Sequence, residues 1–169
     1  MDTHDTLSSV ERITLPGDFD ERWPGGSREA TEAFMNVVRT SEAGLANVTR
    51  LLRPFDLSPA GGLVLSALAD HGPLSPSALS DRLIVTRATM TGLLDSLERR
   101  GHLRRVPNPD DRRSLLVEIT PQGLRIADEL RRVIHAAEAG WLAPLKPSER
   151  RTLVRLLHRL QDGIAAAPE

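Results

Sequence analysis

A chain of 169 residues with 40% hydrophobic content suits one domain, or two lobes that share a core. Its net charge is −1 and it has no cysteine, which excludes a disulfide framework, a thiolate metal site and a thiol redox switch. Aromatics make up only 3%, so the core must be Leu, Val and Ala, a composition that favours helix packed on helix.

Residues 1–26 are acidic and hold Pro16, Gly17, Pro24, Gly25 and Gly26, the pattern of a partly ordered arm. Trp23 is expected to dock, because its large apolar area favours burial. Ser27 can cap a long helix over about Arg28 to Arg53, with an apolar stripe at Phe34, Val37, Val38, Leu45, Val48 and Leu52. Pro54 stops it. Ser58-Pro59 opens a second helix that ends near Gly72, and Ser75-Pro76 opens a short third. Ser before Pro is a start signal: the hydroxyl caps free N–H groups, and Pro loses nothing at the first helical position.

A break at 83–85 leads to Thr86, the cap of a fourth helix that ends at Gly101. Met90, Leu93, Leu94 and Leu97 form its buried stripe, while Ala88, Gly92, Asp95 and Arg99 point outward with Thr89 and Thr91 at the flanks. The exposed face near its start is small and hydroxylic, as a surface that approaches base edges closely must be. A strand near Leu103–Val106, a turn at Asn108-Pro109-Asp110 and a strand from Ser114 to Ile119 follow. In the second strand Leu115, Val117 and Ile119 alternate with Ser114, Leu116 and Glu118, the period of a half-buried strand. Thr120-Pro121 opens a fifth helix with a stripe at Ala127, Leu130, Ile134, Ala137 and Trp141. Pro147 opens a sixth, carrying Leu153, Leu157, Leu160 and Ile164; Lys146 is a poor cap for it, although Glu149 stands at the third position.

A helix built to enter a groove, followed by a hairpin tipped with arginines, is the layout of a winged helix-turn-helix DNA reader. The fold is therefore expected to be mostly α with a small β-wing. Residues 58–120 form the DNA-binding lobe, and 27–57 with 121–166 form a helical dimerisation lobe. The charge distribution fits: between Arg82 and Arg113 there are eight arginines against four acids. Charge alone does not separate a DNA face from a solvated one. The first and last two long helices carry three apolar stripes that one subunit cannot easily bury, which points to a symmetric homodimer.

The element order, and the stretches Val85-Thr-Arg-Ala-Thr-Met-Thr-Gly-Leu-Leu-Asp-Ser-Leu-Glu-Arg-Arg-Gly101, Asp110-Asp-Arg-Arg-Ser114 and Ile-Thr-Pro-Gln-Gly at 119–123, resemble the MarR family of bacterial transcription regulators. The resemblance covers roughly Arg28 to Ile164. It implies a homodimer on a palindromic double-stranded DNA operator. Thr86, Arg87, Ala88, Thr89 and Thr91 would face the major groove and Arg113 would enter the minor groove. Asp111 would hold the wing's shape and Arg112 would meet phosphate. A narrow minor groove concentrates negative potential, which suits Arg. The resemblance also implies release by a small anionic aromatic ligand, in a pocket whose wall would include Phe34, Val38, His71 and Trp141.

Relatives that recognise urate carry a Trp-Asp pair where this chain has Gly62-Leu63, so Trp23 alone does not support that ligand. The five histidines are scattered and read as surface or rim residues rather than metal ligands; His102 stands where the family more often has an apolar residue. No metal or cofactor is expected. No phosphate loop, nucleophile elbow or compact Ser/His/Asp set appears, and Asp110-Asp111 sits on a solvated turn, so an enzyme is not expected. The competing reading is a DNA-binding regulator or architectural protein without a ligand. No apolar run approaches the length of a membrane span or a signal-peptide core, so no membrane partner and a cytoplasmic location are expected.

Overall fold

A computed structural model describes residues 11–83, 85–109, 111 and 113–167. In chain order the elements are α1 (Phe19–Arg22), α2 (Arg28–Leu52), a 3-10 turn (Arg53–Phe55), α3 (Pro59–His71) and α4 (Pro76–Leu83). Then come α5 (Arg87–Arg99), β1 (Leu103–Pro107), β2 (Leu115–Ile119), α6 (Pro121–Trp141) and α7 (Pro147–Ala165). The mostly helical fold with a two-stranded wing is the one expected. No helix among the described residues is long and apolar enough to cross a membrane.

Hydroxyl caps set the helix starts. Ser27, Ser58, Ser75, Thr86 and Thr120 each accept a hydrogen bond from the backbone N–H three residues on. Lys146 has no acceptor to offer, so α7 keeps only the reciprocal half of a capping box: Glu149 Oε2 accepts from the Lys146 N–H at 2.6 Å.

The core lies inside the winged unit. Val64, Leu65 and Leu68 of α3, Leu79 of α4, Met90, Leu94 and Leu97 of α5, Leu103 of β1 and Val117 of β2 are buried together. Ala127 and Leu130 close it from α6 and Leu52 from α2. The wing pairs antiparallel with Leu103 opposite Ile119 and Pro107 opposite Leu115. Val117 also exchanges backbone hydrogen bonds with Leu74, 2.7 and 3.1 Å, which gives the wing a third rung before α4. The period-two expectation holds at Val117 and fails at Leu115, which is exposed because the wing runs past the edge of the core.

Burial fades along the long helices. In α2 it falls from Leu52 through half-buried Val48 to exposed Leu45, Val38 and Phe34. In α6 it falls from Ala127 and Leu130 through half-buried Ile134 to exposed Trp141. No residue of α7 is buried. The arm departs from expectation. Phe19 is half-buried with its ring edge beside Gly26, and Trp23 at the end of the one-turn α1 stays 62% exposed. What ties the arm down is polar. The Asn36 carboxamide accepts from the Ile13 N–H at 3.1 Å and donates to the Ile13 carbonyl at 2.8 Å. Glu32 accepts from the Leu15 N–H at 2.7 Å.

Candidate nucleic-acid interface

The start of α5 is held open to solvent by its own chemistry. Thr86, Arg87, Ala88, Thr89 and Thr91 are all exposed, while Met90 between them is buried. Thr86 Oγ1 caps the helix through the Thr89 N–H at 3.3 Å and shares a hydrogen bond with Thr89 Oγ1 at 2.9 Å. Thr91 Oγ1 donates to the Arg87 carbonyl at 3.0 Å. Thr91 is thus left as an acceptor, and the Thr86–Thr89 pair keeps one hydroxyl proton to donate. Gly92 has nothing within 4 Å of where a Cβ would stand. A glycine inside a helix costs about 1 kcal/mol relative to Ala, and packing within this chain does not require it here.

The wing follows from its turn. The Asp111 carboxylate accepts from the Arg113 N–H at 3.0 Å, and the Asp111 carbonyl accepts from the Ser114 N–H at 2.9 Å. Asn108 closes the other side, donating to Ser114 Oγ at 2.9 Å. Asp111 therefore orders the backbone under an exposed Arg113. Arg112 lies outside the described residues.

Wing and helix are tied by Arg105, which in the sequence is only one more positive charge. Its guanidinium donates to Asp95 at 2.6 Å and to Glu98, and its backbone N–H donates to Glu98 at 2.9 Å. Burial works against the guanidinium's charge, but the hydrogen bonds to Asp95 and Glu98 outweigh it and raise its pKa. Arg104 pairs with Glu118 and Arg100 with Asp56. The basic face is thus smaller than the count of arginines suggests: Arg82, Arg87, Arg99 and Arg113 carry it, and none of them has an ion pair among the described residues.

The junction between wing and α6 is tight. A Cβ on Gly123 would stand 2.0 Å from the His102 carbonyl oxygen, so only glycine fits. His102, at a position more often apolar in the family, is buried, and its Nδ1 has no hydrogen-bond partner among the described residues. Burial first, and the Arg100 charge second, lower its pKa from 6.5.

The four residues expected in one pocket wall do not come together. Phe34 and Val38 line a shallow groove with Ile13, Trp141 is exposed at the end of α6, and His71 accepts a hydrogen bond from Arg82 at 3.0 Å. A cavity of about 500 Å³ does lie among α2, α3 and α6. Leu45, Val48, Leu63, Leu130 and Ile134 make its apolar wall, with Asp70, Arg131, His135 and Glu138 as its charged and polar groups. Arg131 is paired with Asp70. At Gly62 a Cβ would stand 2.9 Å from Leu52 Cδ2, so a larger residue would displace Leu52. Period alone could not show this, because the cavity forms where three stripes diverge.

The chain is similar to known transcription regulators in sequence and in fold. A family model described as the MarR family matches residues 55–114. An HTH-type transcriptional regulator of Bacillus subtilis strain 168, YfiV, is 31% identical over 140 residues, covering 83% of this chain and 86% of its own length. The HTH-type transcriptional repressor NicR of Pseudomonas putida is 31% identical over 101 residues, covering 60% of this chain and 64% of its own. The structure of BpsR from Bordetella bronchiseptica, described for regulation of its DNA binding by 6-hydroxynicotinic acid, has a TM-score of 0.68 at 26% identity. It covers 77% of this chain and 98% of its own.

Proposed function

This chain belongs to the MarR family of DNA-binding transcription regulators, which are not enzymes, and from that premise we propose that it is a homodimeric repressor of a palindromic operator. The observation that carries the reading is the start of α5: an exposed face of Thr86, Arg87, Ala88, Thr89 and Thr91 beside a glycine that nothing in the fold demands. This face meets major-groove base edges. Arg113 reaches the minor groove from the wing that Arg105 fixes at α5, Asp111 shapes the turn, and Arg112 meets phosphate. Residues 58–120 are the DNA lobe. Residues 27–57 and 121–166 are the dimerisation lobe, because the exposed apolar faces of α2 and α7 need a second copy to cover them.

Release comes from a small anionic aromatic ligand in the cavity among α2, α3 and α6. The apolar wall suits a ring, and Arg131 can exchange Asp70 for a ligand carboxylate. The hydroxylated aromatic acid that regulates BpsR is of this class. The deciding experiment is selection of bound duplexes from a random library. Two-fold half-sites with centres ~10 base pairs apart are expected. A site without two-fold symmetry refutes the dimeric reading, and loss of binding on adding hydroxylated aromatic acids tests the release. Binding unchanged by every such acid favours a constitutive regulator.

A further inference from the structure

On the side of α5 away from the wing, a cleft of about 370 Å³ opens between the end of α2, the start of α3 and the C-terminal half of α5. Its charged residues are Arg53, Asp56 and Arg100. Arg100 crosses from the end of α5 and holds Asp56 twice, at the carboxylate (3.0 Å) and at the main-chain carbonyl. Asp56 sits in the left-handed region, φ 52°, which costs a residue with a side chain, and the Arg100 contact holds it there. Its carboxylate is turned outward and largely exposed. Arg53 has no ion pair among the described residues.

Three hydroxyls complete the lining; that of Thr49 is committed to the Leu45 carbonyl at 2.8 Å, which leaves those of Ser58 and Ser96. Ser58 Oγ accepts from the Gly61 N–H at 3.1 Å, which leaves its proton free to donate, and Ser96 adds a second hydroxyl from α5. Two guanidiniums against one outward carboxylate leave the cleft cationic. Leu57 and Leu93 give it an apolar wall, which limits screening of that charge.

We propose that this cleft is an oxyanion site that takes a phosphate-class group. Arg53 supplies the uncommitted charge, Ser58 and Ser96 donate from two walls, and Arg100 shares its guanidinium between Asp56 and the ligand. Donors arriving from three elements match the several oxygens of a tetrahedral anion better than the two of a carboxylate. The phosphate has two sources: the backbone of a duplex lying on the outward face of α5, or free phosphate. The first rests on the DNA-binding reading and the second does not. In either case the bound group braces α5 against the end of α2.

Two measurements separate the sources. The first is a titration of the whole protein with inorganic phosphate at fixed ionic strength, following the Gly61 and Ser96 amide resonances. The second is the salt dependence of binding to a labelled duplex, for the parent and for Arg53→Gln. Saturable shifts that Arg53→Gln abolishes, with an unchanged salt slope, assign free phosphate. A salt slope lowered by about 0.9 in Arg53→Gln, the amount for one phosphate no longer neutralised, with no saturable shifts, assigns the DNA backbone. Shifts that never saturate together with an unchanged slope overturn the proposal. If Arg53→Gln fails to fold by circular dichroism, Arg53→Met, which keeps the apolar stem and removes the same charge, takes its place. A parent protein that binds no duplex at all refutes the DNA reading, and the phosphate titration then decides the cleft by itself.

Discussion

The winged unit and the long helices outside it use the same residue types and end in opposite states. In α3, α4 and α5 the apolar stripes close on one another and on Leu103 and Val117, and no second copy is needed to bury them. In α7 the equally regular stripe of Leu153, Leu157, Leu160 and Ile164 lies against little of its own chain: none of the four is buried, Ile164 is 58% exposed, and Leu156 beside them is 50% exposed. Apolar periodicity therefore states that a face will be covered but not by which chain. Contiguous apolar surface of this kind on a single subunit marks an interaction site.

The largest effect expected from breaking this contrast is in the winged core. Leu68→Ala removes buried atoms from a site that cannot collapse easily and should cost about 2–5 kcal/mol of unfolding free energy, read by urea denaturation. Next comes Leu156→Glu. In an isolated subunit an exposed change of this kind shifts stability by no more than about 0.5 kcal/mol. If α7 is covered by a second copy, it should instead give monomers by light scattering and remove the concentration dependence of Tm. A variant that keeps the parent's native mass would show that Leu156 lies outside any dimer contact.

Within the winged unit, Arg113→Ala should weaken duplex binding strongly and flatten any preference for A·T at the flanks of the site. Thr89→Val should relax discrimination at one or two half-site positions by about 1 kcal/mol each. Competition against operator variants reads both, and unchanged binding by Arg113→Ala removes the wing from the reading machinery. Gly92→Ala sharpens the point: the fold should gain up to about 1 kcal/mol in helix propensity while DNA affinity falls.

The smallest expected effect is in pH. His102 has a lowered pKa in the folded chain, so below about pH 6.5 the unfolded chain binds more protons and stability falls as pH drops towards the folded value. His102→Leu should flatten this dependence of Tm between pH 7.5 and 5.5. An equally steep fall in the variant would place the titration elsewhere.

Local signals carried most of the fold. Ser58-Pro59, Ser75-Pro76 and Thr120-Pro121 each start a helix where a hydroxyl and a proline say one should start. The outward face of α5 was equally legible, because Met90 and Leu94 fix which side is buried. What the chain hid depends on distant partners. Leu74 gives no strand signal, because its pairing with Val117 is a single bridge. The Arg104, Arg105 and Arg100 pairings cancel much of the basic patch only once Glu118, Asp95, Glu98 and Asp56 are in place. Hydrophobicity alone does not place Trp23: it is the C-cap of the one-turn α1, where the backbone has already left the helix, and it stays exposed. Helical period likewise suggests one wall for Phe34 and Trp141, but they lie where α2 and α6 have already left the core.

Gly123 has a mechanical consequence. With its Cα pressed against the His102 carbonyl, and the Thr120 N–H donating to that same oxygen at 3.0 Å, the first turn of α6 and the root of the hairpin have no slack between them. The hairpin root is in turn pinned to α5 through Arg105. Tilting α6 therefore turns hairpin and α5 together, as a tiller turns a rudder. A few degrees at one end of a 21-residue shaft swing the hairpin and α5 as one piece rather than loosen either.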